Sequence, residues 1–245
     1  MALHHEMAAR RNWSEDEVRK ALALYLRTTF GRLHNRNPDI IALAESIGRT
    51  ASSVALKLVN LASLDDSVPA KGMANASATD RQVWQAFLIN PESLNRTNEY
   101  RIPEPDFGQF AEGTGIDQPY QSSRRIGQDL FRDAILTSYQ GRCAVTGIDD
   151  SRLLNASHIV GWSADLRHRM NLRNGICLGA LHDRAFDRHL IAFDTDRRLL
   201  IRKDVSEIAR ASLLRGAATH LRLPERFLPD PELLARHKEI FDQAA

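Results

Sequence analysis

Five residues of this chain have the types and spacing that could do chemistry together. His158 closes the run Ala156-Ser157-His158-Ile159, and Asn174 follows sixteen residues later, opening Asn174-Gly175-Ile176-Cys177-Leu178. His182, Asp183 and Asp187 come next, on a stretch with helical character. An imidazole titrates near neutral pH and can take a proton from water. Carboxylates are hard donors that suit Mg²⁺, and Mn²⁺ also accepts imidazole. A base beside a divalent-ion site suits attack of water on an anionic ester, because the ion neutralises charge on the leaving oxygen. Asp183 and Asp187 stand four apart and so share one helix face. Taken singly, each residue has a bland explanation. A strand-end histidine is usually solvated or packed, Asn-Gly is a turn signal, and Arg184 and Arg188 are local ion partners for the aspartates. Their order carries the reading: base, asparagine and helix ligands, after a strand and before a helix.

This run, over residues 124–190, resembles the HNH (ββα-metal) endonucleases, in particular the HNH branch found in bacterial restriction enzymes. The resemblance implies His158 as the general base and Asn174 as the residue that holds the turn and helps set the imidazole. It also implies one divalent ion, Mg²⁺ or Mn²⁺, held from the following helix. Asp183 and Asp187 lie nine and thirteen residues after Asn174, the offsets at which many family members carry metal-binding histidines. His182 falls where zinc-stapled members place a structural cysteine. The ligand set is therefore Asp183 with Asp187, or His182 with one of them. Ser157 departs from the family, many of whose members have an acidic residue or histidine there. A hydroxyl is a weaker ligand, which leaves part of the coordination to water.

The two cysteines limit the alternatives. Cys143 lies in Arg142-Cys143-Ala144-Val145-Thr146-Gly147, which looks like the first turn of an HNH module. Thr146, Gly179 and His182 occupy the other positions that a zinc-stapled relative fills with cysteine, so a structural Cys₄ zinc is excluded for want of ligands. Cys143 reads as a small buried apolar residue. A disulfide to Cys177 is not excluded by spacing, but no signal peptide is visible, and a cytoplasmic setting keeps both thiols reduced. No apolar run reaches membrane-spanning length, so no membrane partner is expected.

Net charge is only +2, which does not by itself announce nucleic acid. Its distribution says more. Residues 121–245 hold 20 Lys and Arg against 16 Asp and Glu. Between residues 152 and 173, Arg152, Arg167, Arg169 and Arg173 face a single acid, Asp165. The resemblance makes this the loop that meets the DNA backbone, with Arg167, Arg169 and Arg173 as its contacts. Arginine outnumbers lysine 28 to 5, for which a GC-rich genome is the plainer cause.

The elements that must position this site follow from periodicity and punctuation. The expected class is α+β: a helical N-terminal domain over residues 1–90, a linker or arm over 91–123 rich in Pro and Gly, and the nuclease domain over 124–245. Ser14 caps a first helix with an acidic first turn, and Glu17 completes a capping box. Pro38 opens a second helix that Gly48 ends, and Thr50 opens a third containing Val54, Leu58 and Leu61. This arrangement weakly resembles a helix-turn-helix or Myb/SANT domain. It would turn Arg49, Ser52, Ser53 and Lys57 outward to phosphates and base edges. A plain helical bundle is the competing reading. Further along, a helix is expected from Ile126 to Tyr139, with Arg132 facing phosphate or pairing with Asp129 and Asp133. A hairpin is expected around Asp194-Thr195-Asp196, and a last helix from Pro229 to Phe241.

The function expected from this pattern is a metal-dependent endonuclease acting on double-stranded DNA in restriction or defence. The competing readings are a DNA-binding regulator with a non-cleaving HNH fold, a homing or mobile-element nuclease, and an RNA substrate. One site with one metal cuts one strand per encounter, so a C₂ homodimer reading a symmetric site is the simplest route to double-strand cutting. The apolar faces of the N-terminal helices would serve as its surface, or fill an intrachain core.

Overall fold

The computed structural model describes residues 11–66, 75–90, 94 and 128–244. The expected linker over 91–123 lies outside the described residues apart from Leu94, which is buried. The start of the helix expected from Ile126 also lies outside them.

The N-terminal part is a bundle of four helices: α1 (Glu15–Leu26), α2 (Pro38–Ser46), α3 (Ala51–Ala62) and α4 (Ala78–Ile89). Their ends follow the local chemistry. Ser14 and Glu17 form the capping box of α1, Pro38 sits in the first turn of α2, and Thr50 caps α3. Gly48 has φ 63°, a left-handed turn that lets Arg49 N donate to Ala44 O at 2.8 Å and closes α2. Helix α4 has its own capping box, Ser77 with Asp80. Sequence reading passed over it, although Ser-x-x-Asp before an apolar run announces it. Val18, Leu22, Leu26, Val54, Leu58 and Val83 are wholly buried in one core, and Trp84 meets Tyr25 with ring centroids 6.0 Å apart. The apolar faces considered for a dimer are thus filled from within the chain.

The C-terminal part is built on two short antiparallel ribbons. Helix α5 (Gln128–Ser138) leads by a turn to strand β1 (Leu154–His158), which pairs with β2 (Gly175–Gly179) in the register Asn155–Leu178, Ser157–Ile176 and His158–Gly175. Helix α6 (Ala180–Asp187) follows β2 directly, and strands β3 (Ile191–Phe193) and β4 (Leu199–Ile201) form the expected hairpin. Helices α7 (Glu207–Leu214) and α8 (Pro231–Gln243) complete this part. Helix α7 was not foreseen. The β1–β2 ribbon is packed between α5 and α6, which explains why all five residues of β2 are buried. Leu154, Ile176, Leu178, Phe131, Ile135 and Phe186 fill the two interfaces. Arg132, whose charge also acts on Asp133, is turned onto the start of β1. It donates to Leu154 O at 2.7 Å and Ser151 O at 3.1 Å, satisfying carbonyls at the start of β1.

The two parts are joined by buried polar contacts. Arg226, 4% exposed, donates to Tyr25 O at 3.2 Å and Leu26 O at 3.0 Å, carbonyls in the last turn of α1. Its guanidinium also lies over the Tyr25 ring. No helix among the described residues is long and apolar enough to cross a membrane.

Candidate active site

Strand alternation divides the site between two faces of β1. Leu154, Ala156 and His158 point one way, and Asn155 and Ser157 the other. The His158 ring lies flat against Phe131 of α5, with centroids 4.1 Å apart and planes 7° from parallel. Trp162 meets it edge-on at 5.6 Å. This approach depends on Gly175, which is opposite His158 in the register. A Cβ at Gly175 would lie 2.4 Å from Ile135 Cδ1 and 2.9 Å from Phe131 Cζ, so only glycine lets α5 come this close.

His158 Nε2 lies 2.8 Å from the backbone oxygen of Arg169. A carbonyl can only accept, so Nε2 carries the proton and the imidazole lone pair is on Nδ1. The loop that supplies this carbonyl is held by Asn174, which is wholly buried. Asn174 Oδ1 accepts from Val160 N at 2.8 Å, and Nδ2 donates to Val160 O and His168 O, each at 3.0 Å. Asn174 thus acts on the chain just after the base and on the loop that orients it. It is placed to fix the loop geometry around the imidazole.

On the other face of β1, Asn155 Nδ2 donates to Asp183 Oδ2 at 2.7 Å, and Ser157 Oγ donates to Asp183 Oδ1. Asp187 lies one turn further along α6. Partial desolvation and the neighbouring Asp183 charge both raise its pKa above the ordinary value. His182 is turned away from this pair. It is buried, and its Nε2 lies 2.9 Å from Leu213 O of α7. Burial lowers its pKa, so it is a neutral imidazole donating to a helix-end carbonyl. In this structure the His182 ring ties α7 to α6. Nothing in the sequence marked this, because α7 itself went unread.

Among the described residues, no three His, Cys, Asp or Glu side chains converge as a metal-holding group. Two carboxylates on one helix face nevertheless fit Mg²⁺, which usually binds through one or two carboxylates and keeps water or substrate phosphate in its other positions. The Asp183–Asp187 pair, with each charge opposing the other, is a donor set that a divalent cation would satisfy.

The arginines divide into two groups. Arg49 and Lys57, expected on a DNA-facing surface of α3, are turned inward. Arg49 is paired with Glu17 at 2.9 Å, with 9% of its side chain exposed, and lies over Trp13. Lys57 Nζ is 2.6 Å from Asp80, whose side chain is fully buried. Burial opposes the charge of Glu17, but the bonds from Arg49 and Ser14 and the charge of Arg11 bring its pKa below the ordinary value. Ser52 is exposed and accepts from Asn35, and the Ser53 amide is taken by the Thr50 cap. The expected phosphate-binding face of α3 thus loses both of its cations. In the loop after β1, Arg167 is 84% exposed and pairs with Asp165 at 3.1 Å, holding that carboxyl well below its usual range. Arg169 donates to Trp162 O and covers its ring. Arg173 is half exposed beside Asp230. Arg236 of α8, which sequence reading missed, reaches Asp165 at 3.3 Å.

Cys143 and Cys177 are free and buried. Cys143 Sγ accepts from Thr146 N at 3.4 Å and Gly179 N at 3.1 Å. One thiol therefore bonds to the backbone of two positions where zinc-stapled relatives carry cysteines.

Residues 143–194 match the model of the HNH endonuclease family. This stretch is an HNH endonuclease module. It contains β1, β2, α6 and β3, and with them His158, Asn174, Asp183 and Asp187. The HNH match leaves α1 to α5, β4, α7 and α8 outside it. No curated protein matches the chain. Over these residues the chain is similar to the HNH endonucleases, a class that generally uses a divalent metal and acts on DNA.

Proposed function

We propose that this chain is a metal-dependent endonuclease that hydrolyses phosphodiester bonds in double-stranded DNA. The observation that carries the reading is the Nε2 bond from His158 to the Arg169 carbonyl. It fixes the tautomer and leaves Nδ1 as the basic atom, as a general base requires. In this mechanism a water gives its proton to Nδ1 of His158 as its oxygen attacks phosphorus. The charge gained by the ring is stabilised by the Arg169 carbonyl on Nε2. Phe131 and Trp162 keep the ring from turning, and Asn174 keeps the carbonyl in place. Asp183 and Asp187 would hold the divalent ion, Mg²⁺ or Mn²⁺, which when bound would supply charge neutralisation at the scissile phosphate and leaving oxygen. Arg167 and Arg173, on the solvent side of the loop, bind flanking phosphates.

The resemblance to the restriction branch supports a defence role. Double-strand cutting by a pair of chains stays part of the proposal without a surface assigned to it. Supercoiled plasmid incubated with Mg²⁺, with Mn²⁺ and with EDTA tests the reading. Nicked or linear product in the first two and none in EDTA is expected. Equal cleavage in EDTA would refute the metal role.

A further inference from the structure

We infer that Asn155 is a positioning residue for the metal carboxylate Asp183, an inference that rests on the metal reading above. Asn155 and Ser157 are two apart on β1 and so share the face covered by α6. Asn155 Nδ2 reaches Asp183 Oδ2 at 2.7 Å while Ser157 Oγ donates to Oδ1, so both oxygens of one carboxylate are held from one strand. A carboxylate has about four lone-pair sites, and these two bonds occupy one on each oxygen. The carboxylate plane is thereby fixed, and its remaining lone pairs keep their direction before any ion arrives. The amide nitrogen that meets Asp183 is a donor and cannot ligate a cation, so through this bond Asn155 acts on the ion by way of Asp183. Ser157, at the position where many relatives carry a ligand, serves here as the second donor. Partners of this kind, behind a metal ligand, typically change metal affinity about ten- to a hundred-fold when removed.

A bond that merely tied β1 to α6 would affect folding and leave metal affinity alone. The test is Mn²⁺ titration calorimetry on the full chain, comparing the wild type with Asn155→Leu, Ser157→Ala and Asp187→Ala, each checked for folding by circular dichroism. Asp187→Ala should lose binding. Asn155→Leu and Ser157→Ala should bind Mn²⁺ about ten- to a hundred-fold more weakly, with kcat recovered at saturating Mn²⁺. If Asn155→Leu does not fold, Ser157→Ala decides, since it removes a single hydroxyl. Mn²⁺ affinity equal to wild type in the folded variants, with binding still lost in Asp187→Ala, overturns this inference alone. A wild type that binds no Mn²⁺, or binding that survives Asp187→Ala, overturns the metal reading and the inference with it.

Discussion

Lys57 in the N-terminal bundle and Arg167 beside the HNH site are both cations paired with an aspartate, yet they stand in opposite settings. Lys57 and Asp80 are buried, and Asp80 also caps α4. Arg167 and Asp165 are paired at the surface, with the guanidinium mostly in solvent. A buried pair is costly to break, because either partner alone is an uncompensated charge. A surface pair contributes little and can be exchanged for a phosphate at small cost. The comparison makes Lys57 part of the fold and leaves Arg167 at the surface, where a phosphate could reach it.

The largest effect should come from the HNH site. His158→Ala should lower the cleavage rate by about a hundred- to ten-thousand-fold, the usual loss of a general base. Stability should fall by only about 0.5–1.5 kcal/mol, the value of an aromatic contact such as the one with Phe131. Single-turnover cleavage and urea unfolding measure the two. A variant that cuts at the wild-type rate removes His158 from the mechanism.

Lys57→Ala should reverse that pattern, costing about 3–5 kcal/mol of stability by stranding the Asp80 charge. At temperatures where the variant is folded, its DNA affinity should match the wild type. A loss of affinity with unchanged urea midpoint would return α3 to the DNA surface.

Acidification should also act on the fold. His237 of α8 lies against Phe186 with ring centroids 3.7 Å apart, and burial depresses its pKa from 6.5 to about 4. His182 is depressed by burial as well. An unfolded chain takes up these protons near the ordinary value, while the folded chain resists. Stability is therefore complete above pH 6.5 and declines as pH falls from there towards about 4. The slope is up to about 1.4 kcal/mol per pH unit for each histidine. Urea midpoints between pH 7.5 and 5 (about one pH unit beyond each histidine's ordinary value) should show it, and His237→Phe should flatten it.

The smallest effect belongs to the loop. Arg167→Ala and Arg173→Ala should each reduce the slope of log affinity against log salt by about 0.9, with no measurable change in stability. Filter binding over a salt series reads this directly. An unchanged slope would place the DNA elsewhere.

Much of the frame was legible in the sequence because local chemistry decides it. Ser14, Pro38, Gly48 and Thr50 punctuate the first three helices as their types require, and the β1–β2–α6 order follows from the run between Ala156 and Asp187. What could not be read was where long side chains go once distant elements cover them. Arg49 and Lys57 face outward on an isolated α3. Glu17 and Asp80, 32 and 23 residues away, turn them inward. His182 was ambiguous for the same reason, since its acceptor lies 31 residues on, in α7. Asn155 was the legible residue left unread, because strand alternation already placed it on the same face as Ser157.

The bonds from Arg226 to Tyr25 and Leu26 span 201 and 200 residues of sequence. During synthesis this joint cannot close until residue 226 has emerged, whereas the four-helix bundle can fold as soon as α4 is out. Helix α5, which packs on α1, emerges well before the Arg226 contacts can form. Truncation before Arg226 should remove the guanidinium bonds to the Tyr25 and Leu26 carbonyls, however well the bundle itself has formed.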